Sequence, residues 1–309
     1  MAALAHSGRM SNALLLLPDF LLIVCGFCIC RYTALDRPVW EAAERLVYYV
    51  LFPVLLFNSI VRSPLQPPQT LSLAAGGVGA VLVGIALSYA LKRWPDVDAR
   101  LHASGAQTAF RFNSFIALAL AERLGGQQGV AWMALLIALC VPLCNVAAVW
   151  PLARHGGHSY GREIVRNPLI ISTVAGLIAN LVGLQFPEAV ATTLQRIGIA
   201  ALPVGLMAVG AGLRVAGLKA APGLAAAFLA IRHAVLPAVA IGLTAVLALP
   251  LAQRDIVVLF AAMPTASSAY VLAARMGGDG AYVAGLVTLS TLIGMLSIPI
   301  WLAVLAALP

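Results

Sequence analysis

Within Thr108-Ala109-Phe110-Arg111-Phe112-Asn113-Ser114 a guanidinium and a carboxamide stand two residues apart inside an apolar segment of membrane-span length. Arginine offers a planar fork of donors that matches a carboxylate, and asparagine adds a donor and an acceptor. The chemistry on offer is recognition of a small anion rather than bond making. A second apolar run is interrupted by Met263-Pro264-Thr265-Ala266-Ser267-Ser268. Pro264 removes a backbone donor, and the hydroxyls of Thr265, Ser267 and Ser268 can bind either freed carbonyls or a ligand. An arginine near the bilayer centre costs at least about 2.5 kcal/mol on insertion scales, so it needs water or a partner. The two interruptions therefore read as halves of one binding site.

Other polar residues in apolar runs carry competing readings. Asn145 and Asn58 are amides that either join the site or bond one helix to another. Asp19, directly after Pro18, is the carboxylate well inside a run, and is either the coupling group of a proton-driven process or a helix cap. Arg111 itself could snorkel toward the cytoplasmic edge. Arg232-His233 reads as a snorkelled pair on the cytoplasmic approach to its run, and Glu122 and Asp279 as interfacial residues. Cys25-x-x-Cys28, Cys30, Cys140 and Cys144 lie in apolar runs and read as small buried hydrophobes. His155-Gly-Gly-His158 has no further ligands beside it, so no metal site is expected. Neither HExxH, a phosphate loop nor a nucleophile elbow occurs, so no enzyme and no cofactor is expected.

The elements that position these residues follow from composition. The chain of 309 residues is 62% hydrophobic and 10% charged, with a mean hydropathy of +0.98, far from a soluble domain. Its apolar material falls in blocks of roughly 20 residues, enough for a helix to cross a hydrocarbon core about 30 Å thick. Barrel strands would be shorter and alternating. Ten spans result, at about 12–31, 40–62, 71–92, 103–122, 128–153, 164–184, 190–213, 224–250, 254–275 and 280–308. The Arg9 segment is kept in front of the first span rather than as a cleaved leader. The net charge of +8 lies between spans without interleaved aromatics, so it reads as topology and not as a nucleic-acid surface. Thirteen Lys and Arg fall on one set of alternate loops, Arg232 counted among them, against five on the other. Both termini are thus expected on the non-cytoplasmic side of the inner membrane.

The halves repeat. Pro18 and Gly26 recur as Pro168 and Gly176, and Pro53 as Pro203, all shifted by 150. Arg123-Leu124-Gly125-Gly126 recurs as Arg275-Met276-Gly277-Gly278, shifted by 152, which sets Phe112 on Pro264 and Asn113 on Thr265. Five spans per unit, an odd number, invert the second copy. The expected architecture is an all-α membrane protein of two inverted five-helix repeats, 1–155 and 164–309, joined by a cytoplasmic link at 156–163, with spans four and nine broken at one depth.

At these residues the chain resembles the auxin efflux carrier family, which includes plant carriers and bacterial permeases for malonate and other carboxylates. The resemblance rests on the order and spacing of several stretches. They are Leu51-Phe52-Pro53-Val54-Leu55-Leu56-Phe57-Asn58, Arg111-Phe112-Asn113-Ser114-Phe115, Asn167-Pro168-Leu169-Ile170-Ile171, Ala201-Leu202-Pro203-Val204-Gly205-Leu206, Met263-Pro264-Thr265-Ala266, and Ser290-Thr291-Leu292 with Ile298-Pro299. It implies a scaffold domain and a core domain containing two crossing broken helices, as in the similar bile-acid and sodium–proton antiporter-type carriers, with Asn113 and Thr265 at the crossover. It also implies a homodimer formed through the scaffold. The chain departs from the plant carriers in having Phe112 and Asn113 where they have a proline, and in lacking their long central loop. A small carboxylate suits Arg111 better than auxin. The expected function is secondary active export of a small organic anion across the lipid bilayer. The alternative is a non-transporting receptor that keeps the carrier fold. Coupling is left between a proton and a sodium ion, and sodium would want a cage of backbone carbonyls and side-chain oxygens at the crossover.

Overall fold

Several helices start where a proline stands without losing a hydrogen bond. Pro67, Pro168 and Pro222 are the first residues of their helices, and Pro187 and Pro250 directly precede theirs. At those positions the missing N–H has no partner to lose. The computed structural model describes residues 18, 20–62, 67–153, 168–213, 220–266 and 268–308, and among them every regular element is a helix. Five of these helices are long and apolar enough to cross a membrane, bounded by Thr70–Arg93, Ala99–Leu152, Glu188–Ala211, Pro222–Val246 and Gly280–Ala307. Phe20–Tyr32 is a shorter apolar helix. Leu71, Leu181, Val246 and Leu296 are between 71% and 84% exposed, which suits a surface covered by lipid and not by water. The protein is a multi-pass membrane protein.

The 54-residue stretch Ala99–Leu152 would extend about 80 Å as one helix, far more than a bilayer. It is divided twice: residues 110–113 leave helical geometry, and Gly126 takes φ 53° and ψ −145°. That φ is a left-handed value that glycine adopts without strain.

Contacts group the chain into two compact units, each drawing segments from both halves of the sequence. The first comprises 1–70, 115–138 and 161–212. Its helices touch backbone to backbone: a Cβ on Gly26 would lie 1.9 Å from the Met207 carbonyl oxygen, and one on Gly210 would lie 1.8 Å from that of Ile23. Gly176 meets the Phe57 carbonyl and the Ile60 side chain. A shift of 150 residues carries Gly26 onto Gly176 and Phe57 onto Met207, so the two contacts, each joining the first half to the second, correspond with the roles of the halves exchanged. Asn180 closes the end of the helix Phe52–Val61 by donating Nδ2 to the carbonyls of Ile60 and Val61 at 2.9 and 3.0 Å.

The second unit comprises 71–114, 139–160 and 213–309, and it holds both interruptions. Two aspartates start its helices. Asp98 accepts from the Leu101 N–H at 2.7 Å, and Asp279 from that of Tyr282 at 2.8 Å. Asp279, expected at the interface, is thus an N-cap. The turn before it is pinned to the helix Ala99–Gly105, because the Asp279 N–H donates to Ser104 Oγ at 2.8 Å.

Candidate functional site at the helix breaks

The first broken helix tightens before it stops. Ala99–Gly105 is followed by a 3-10 turn over Ala106–Ala109. There Thr108 Oγ1 donates to the Gly105 carbonyl at 2.7 Å, and Gln107 Nε2 to that of Ser104 at 3.2 Å. Side chains thereby take carbonyls that a continuing α-helix would have used. The chain resumes as a helix at Ser114. The second helix, Leu251–Ala262, ends at Met263 in an extended conformation, and Ala269–Arg275 follows. Pro264 cannot donate to Phe260, which stops the helix there.

The two interruptions meet. The Asn113 N–H donates to the Pro264 carbonyl at 2.8 Å, and Thr265 Oγ1 donates to the Thr108 carbonyl at 2.7 Å. Phe112 and Phe260 pack edge to face with centroids 4.4 Å apart. Gly294 lets another helix approach, since a Cβ there would lie 3.3 Å from that of Pro264. Thr265 also donates its backbone N–H to Ser290 Oγ at 2.9 Å. That hydroxyl lies 2.8 Å from His233 Nε2, and His233 Nδ1 lies 3.0 Å from Ser297 Oγ.

Beneath this junction sits a residue that the sequence reading placed elsewhere. Arg232 is 1% exposed and His233 6%, so both are packed inside the protein and neither is a snorkelled surface side chain. The correction has a local cause. Pro237 lacks the N–H that would serve the His233 carbonyl, and Ile231–Val235 relax into a π turn in which the Leu236 N–H reaches back to Ile231. Such a turn re-aims side chains and is frequent at functional sites. Arg232 is directed to four carbonyls: Nη1 donates to Phe110 at 3.3 Å, Nη2 to Phe260 and Ala261 at 3.2 and 3.1 Å, and Nε to Met263. The signal was available in sequence, because Arg232 lies about as deep in its span as Arg111 does in its own. Removing it from the loop count leaves twelve basic residues against five.

Of the expected site residues, Arg111, Asn113, Ser114, Pro264, Thr265 and Ser268 all stand at the breaks in one unit. Arg111 is half-buried; its Nη1 donates to Gln107 Oε1 at 2.9 Å and its Nη2 to the exposed Ser268 Oγ at 3.2 Å. Asn113 and Thr265 are 3% and 0% exposed, so they frame the junction from within. Asn145 is half-buried beside Cys144, whose Sγ reaches the Phe110 carbonyl at 3.6 Å. Asn58 belongs to the other unit and lines a cavity there with Arg62, Glu122, Gln127 and Gln195 beside Leu55, Val130 and Ile199. Asp19 and Ser267 lie outside the described residues. Sequence reasoning missed Arg232, His233 and Ser290 as parts of the junction.

Charge is therefore sorted at the breaks. Carbonyl-bearing helix ends gather around Arg232, while Arg111 stands half-buried and bonded to the exposed Ser268. Residues 98–302 match the family described as membrane transport protein. Over 279 residues the chain is 25% identical to a Rhizobium meliloti (strain 1021) protein whose name proposes malonate as its cargo, covering 85% of this chain and 86% of that one. Over 293 residues it is 26% identical to an uncharacterized transporter of Methanothermobacter thermautotrophicus (strain Delta H), covering 92% and 95%. With well over half its length inside the family's profile, the chain belongs to the membrane transport protein family, the auxin efflux carriers whose motifs it shares.

Proposed function

We propose that this transporter is a secondary active carrier that exports a small organic anion, a carboxylate, across the inner membrane by alternating access. In this reading ten helices form two inverted repeats, and the broken helices bind the cargo. The observation that carries it is the placement of Arg111, half-buried at a helix break and joined to the exposed Ser268 at 3.2 Å. A carboxylate there would meet a guanidinium fork and the Ser268 hydroxyl. The relative named for malonate supports the same cargo class. The exchanged Gly26 and Gly176 contacts support the repeat, and the surviving basic asymmetry supports non-cytoplasmic termini.

The test is counterflow in proteoliposomes loaded with unlabelled acid and offered labelled malonate, succinate or an aromatic acid. Saturable exchange of one of them, abolished or strongly weakened by Arg111→Ala, is expected. Exchange of neutral solutes alone, with every acid ignored, would overturn the anion reading.

A further inference from the structure

The four carbonyls that meet Arg232 are not a random set. Phe110 ends the first half of one broken helix, and Phe260, Ala261 and Met263 end the first half of the other. The last carbonyls of a helix have no intrahelical donor, and each such end carries roughly half a negative charge. Two ends brought together make a pocket of about one negative charge lined by backbone oxygens, which demands a cation. Among the described residues no carboxylate pairs with Arg232. The helix ends are its counter-charge.

We propose that Arg232 is the resident cation of the crossover: its guanidinium fills the carbonyl cage in which a co-transported sodium ion would have to bind, so the carrier works without sodium. This deepens the carrier reading and rests on it for the word co-transported. The physical grounds are occupancy and charge. Four donor contacts engage the oxygens a sodium ion would need, and a second cation beside a buried guanidinium would face direct repulsion in a medium of low polarity. Arginine suits the task because it remains protonated when buried and its fork reaches several acceptors at once. The π turn, and the indole N–H of Trp301 donated to the His233 carbonyl, hold it in that place.

The experiment is thermal unfolding of the purified full chain in sodium, potassium and choline chlorides at one ionic strength, alongside binding of radioactive sodium. Wild type and Arg232→Ala are compared, with methylguanidinium added to the variant. Wild type should melt at one temperature in all three salts and bind no sodium. Arg232→Ala should melt lower, and methylguanidinium or sodium, but not choline, should restore about half of the loss. Sodium bound by wild type, or a sodium-specific rise in its melting temperature, would overturn the proposal. So would an Arg232→Ala protein as stable as wild type and indifferent to cations. Should Arg232→Ala fail to fold in every salt, Arg232→Lys decides: its ammonium must support a fold that ignores sodium, and a lysine variant that requires sodium sinks the idea. Counterflow in the same preparations separates the two readings. Flux without sodium dependence upholds both, absence of any flux counts against the carrier alone, and sodium-driven flux counts against the resident cation alone.

Discussion

Trp301 donates its indole N–H to the carbonyl of His233 at 2.8 Å, supplying the hydrogen bond that Pro237 cannot make. A proline in mid-helix strands the carbonyl four residues before it. Here that carbonyl belongs to the residue next to Arg232, so the indole steadies the turn that aims the guanidinium. Trp301→Phe should destabilise the protein by about 1 kcal/mol, the net value of one such bond. In a Pro237→Ala background the new backbone N–H can take the carbonyl, and the same substitution should then cost little. A double-mutant cycle of unfolding in mixed micelles would read this as a coupling of about 1 kcal/mol. Equal costs in both backgrounds would show that the indole replaces nothing.

Thr265 makes a different kind of tie, since its hydroxyl and its N–H bind two different partners, the Thr108 carbonyl and Ser290 Oγ. Thr265→Val keeps the shape and the N–H while leaving a fully buried carbonyl with one donor fewer. A loss of about 1–3 kcal/mol is expected, with Thr265→Ser close to wild type. If valine and serine melt alike, the hydroxyl bond does not hold the breaks together.

Arg111 should separate charge from geometry. Arg111→Lys keeps the cation and loses the fork, while Arg111→Ala loses both. Hydrogen bonds to charged groups are worth about 1.5–3 kcal/mol, so alanine should raise the KM for the transported acid by roughly 10- to 150-fold, with lysine between it and wild type. An unchanged KM in the alanine variant would place the cargo away from this side chain.

What could be read from sequence followed the strength of each local signal. The apolar blocks and the helix starts at proline are local, and the helices Glu188–Ala211, Pro222–Val246 and Gly280–Ala307 lie within a few residues of the expected spans. The interruption at Pro264 announces itself, and Arg111 stands out by its charge. The break at Phe110 to Asn113 has neither proline nor glycine; it is held open from outside by the Pro264 carbonyl and the Thr265 hydroxyl, which no window on the chain displays. Arg232 was misplaced for a related reason. An arginine in an apolar run is ordinarily drawn to the membrane edge, and what reverses that here is a cluster of carbonyls contributed by two other helices. Asn58 is a different case: an amide in an apolar run says nothing about which unit it will belong to, and it lies in the unit without the breaks.

The glycines related by the 150-residue shift should respond unequally to the same change. At Gly26 an added Cβ would fall 1.9 Å from a carbonyl oxygen, whereas at Gly176 the nearest atom is the Ile60 Cβ at 3.1 Å. The first clash involves backbone and forces two helices apart; the second is tighter than usual contact and yields to a small shift. Gly26→Ala should therefore cost about 1–3 kcal/mol or more, as overpacking against a rigid neighbour does. Gly176→Ala should fall near neutrality, helped by the helix preference for alanine over glycine of about 1 kcal/mol. Melting temperatures of the two variants in one detergent decide it. Equal losses would mean that the two crossings are equally tight, and the packing of Phe20–Tyr32 against Glu188–Ala211 would need revision.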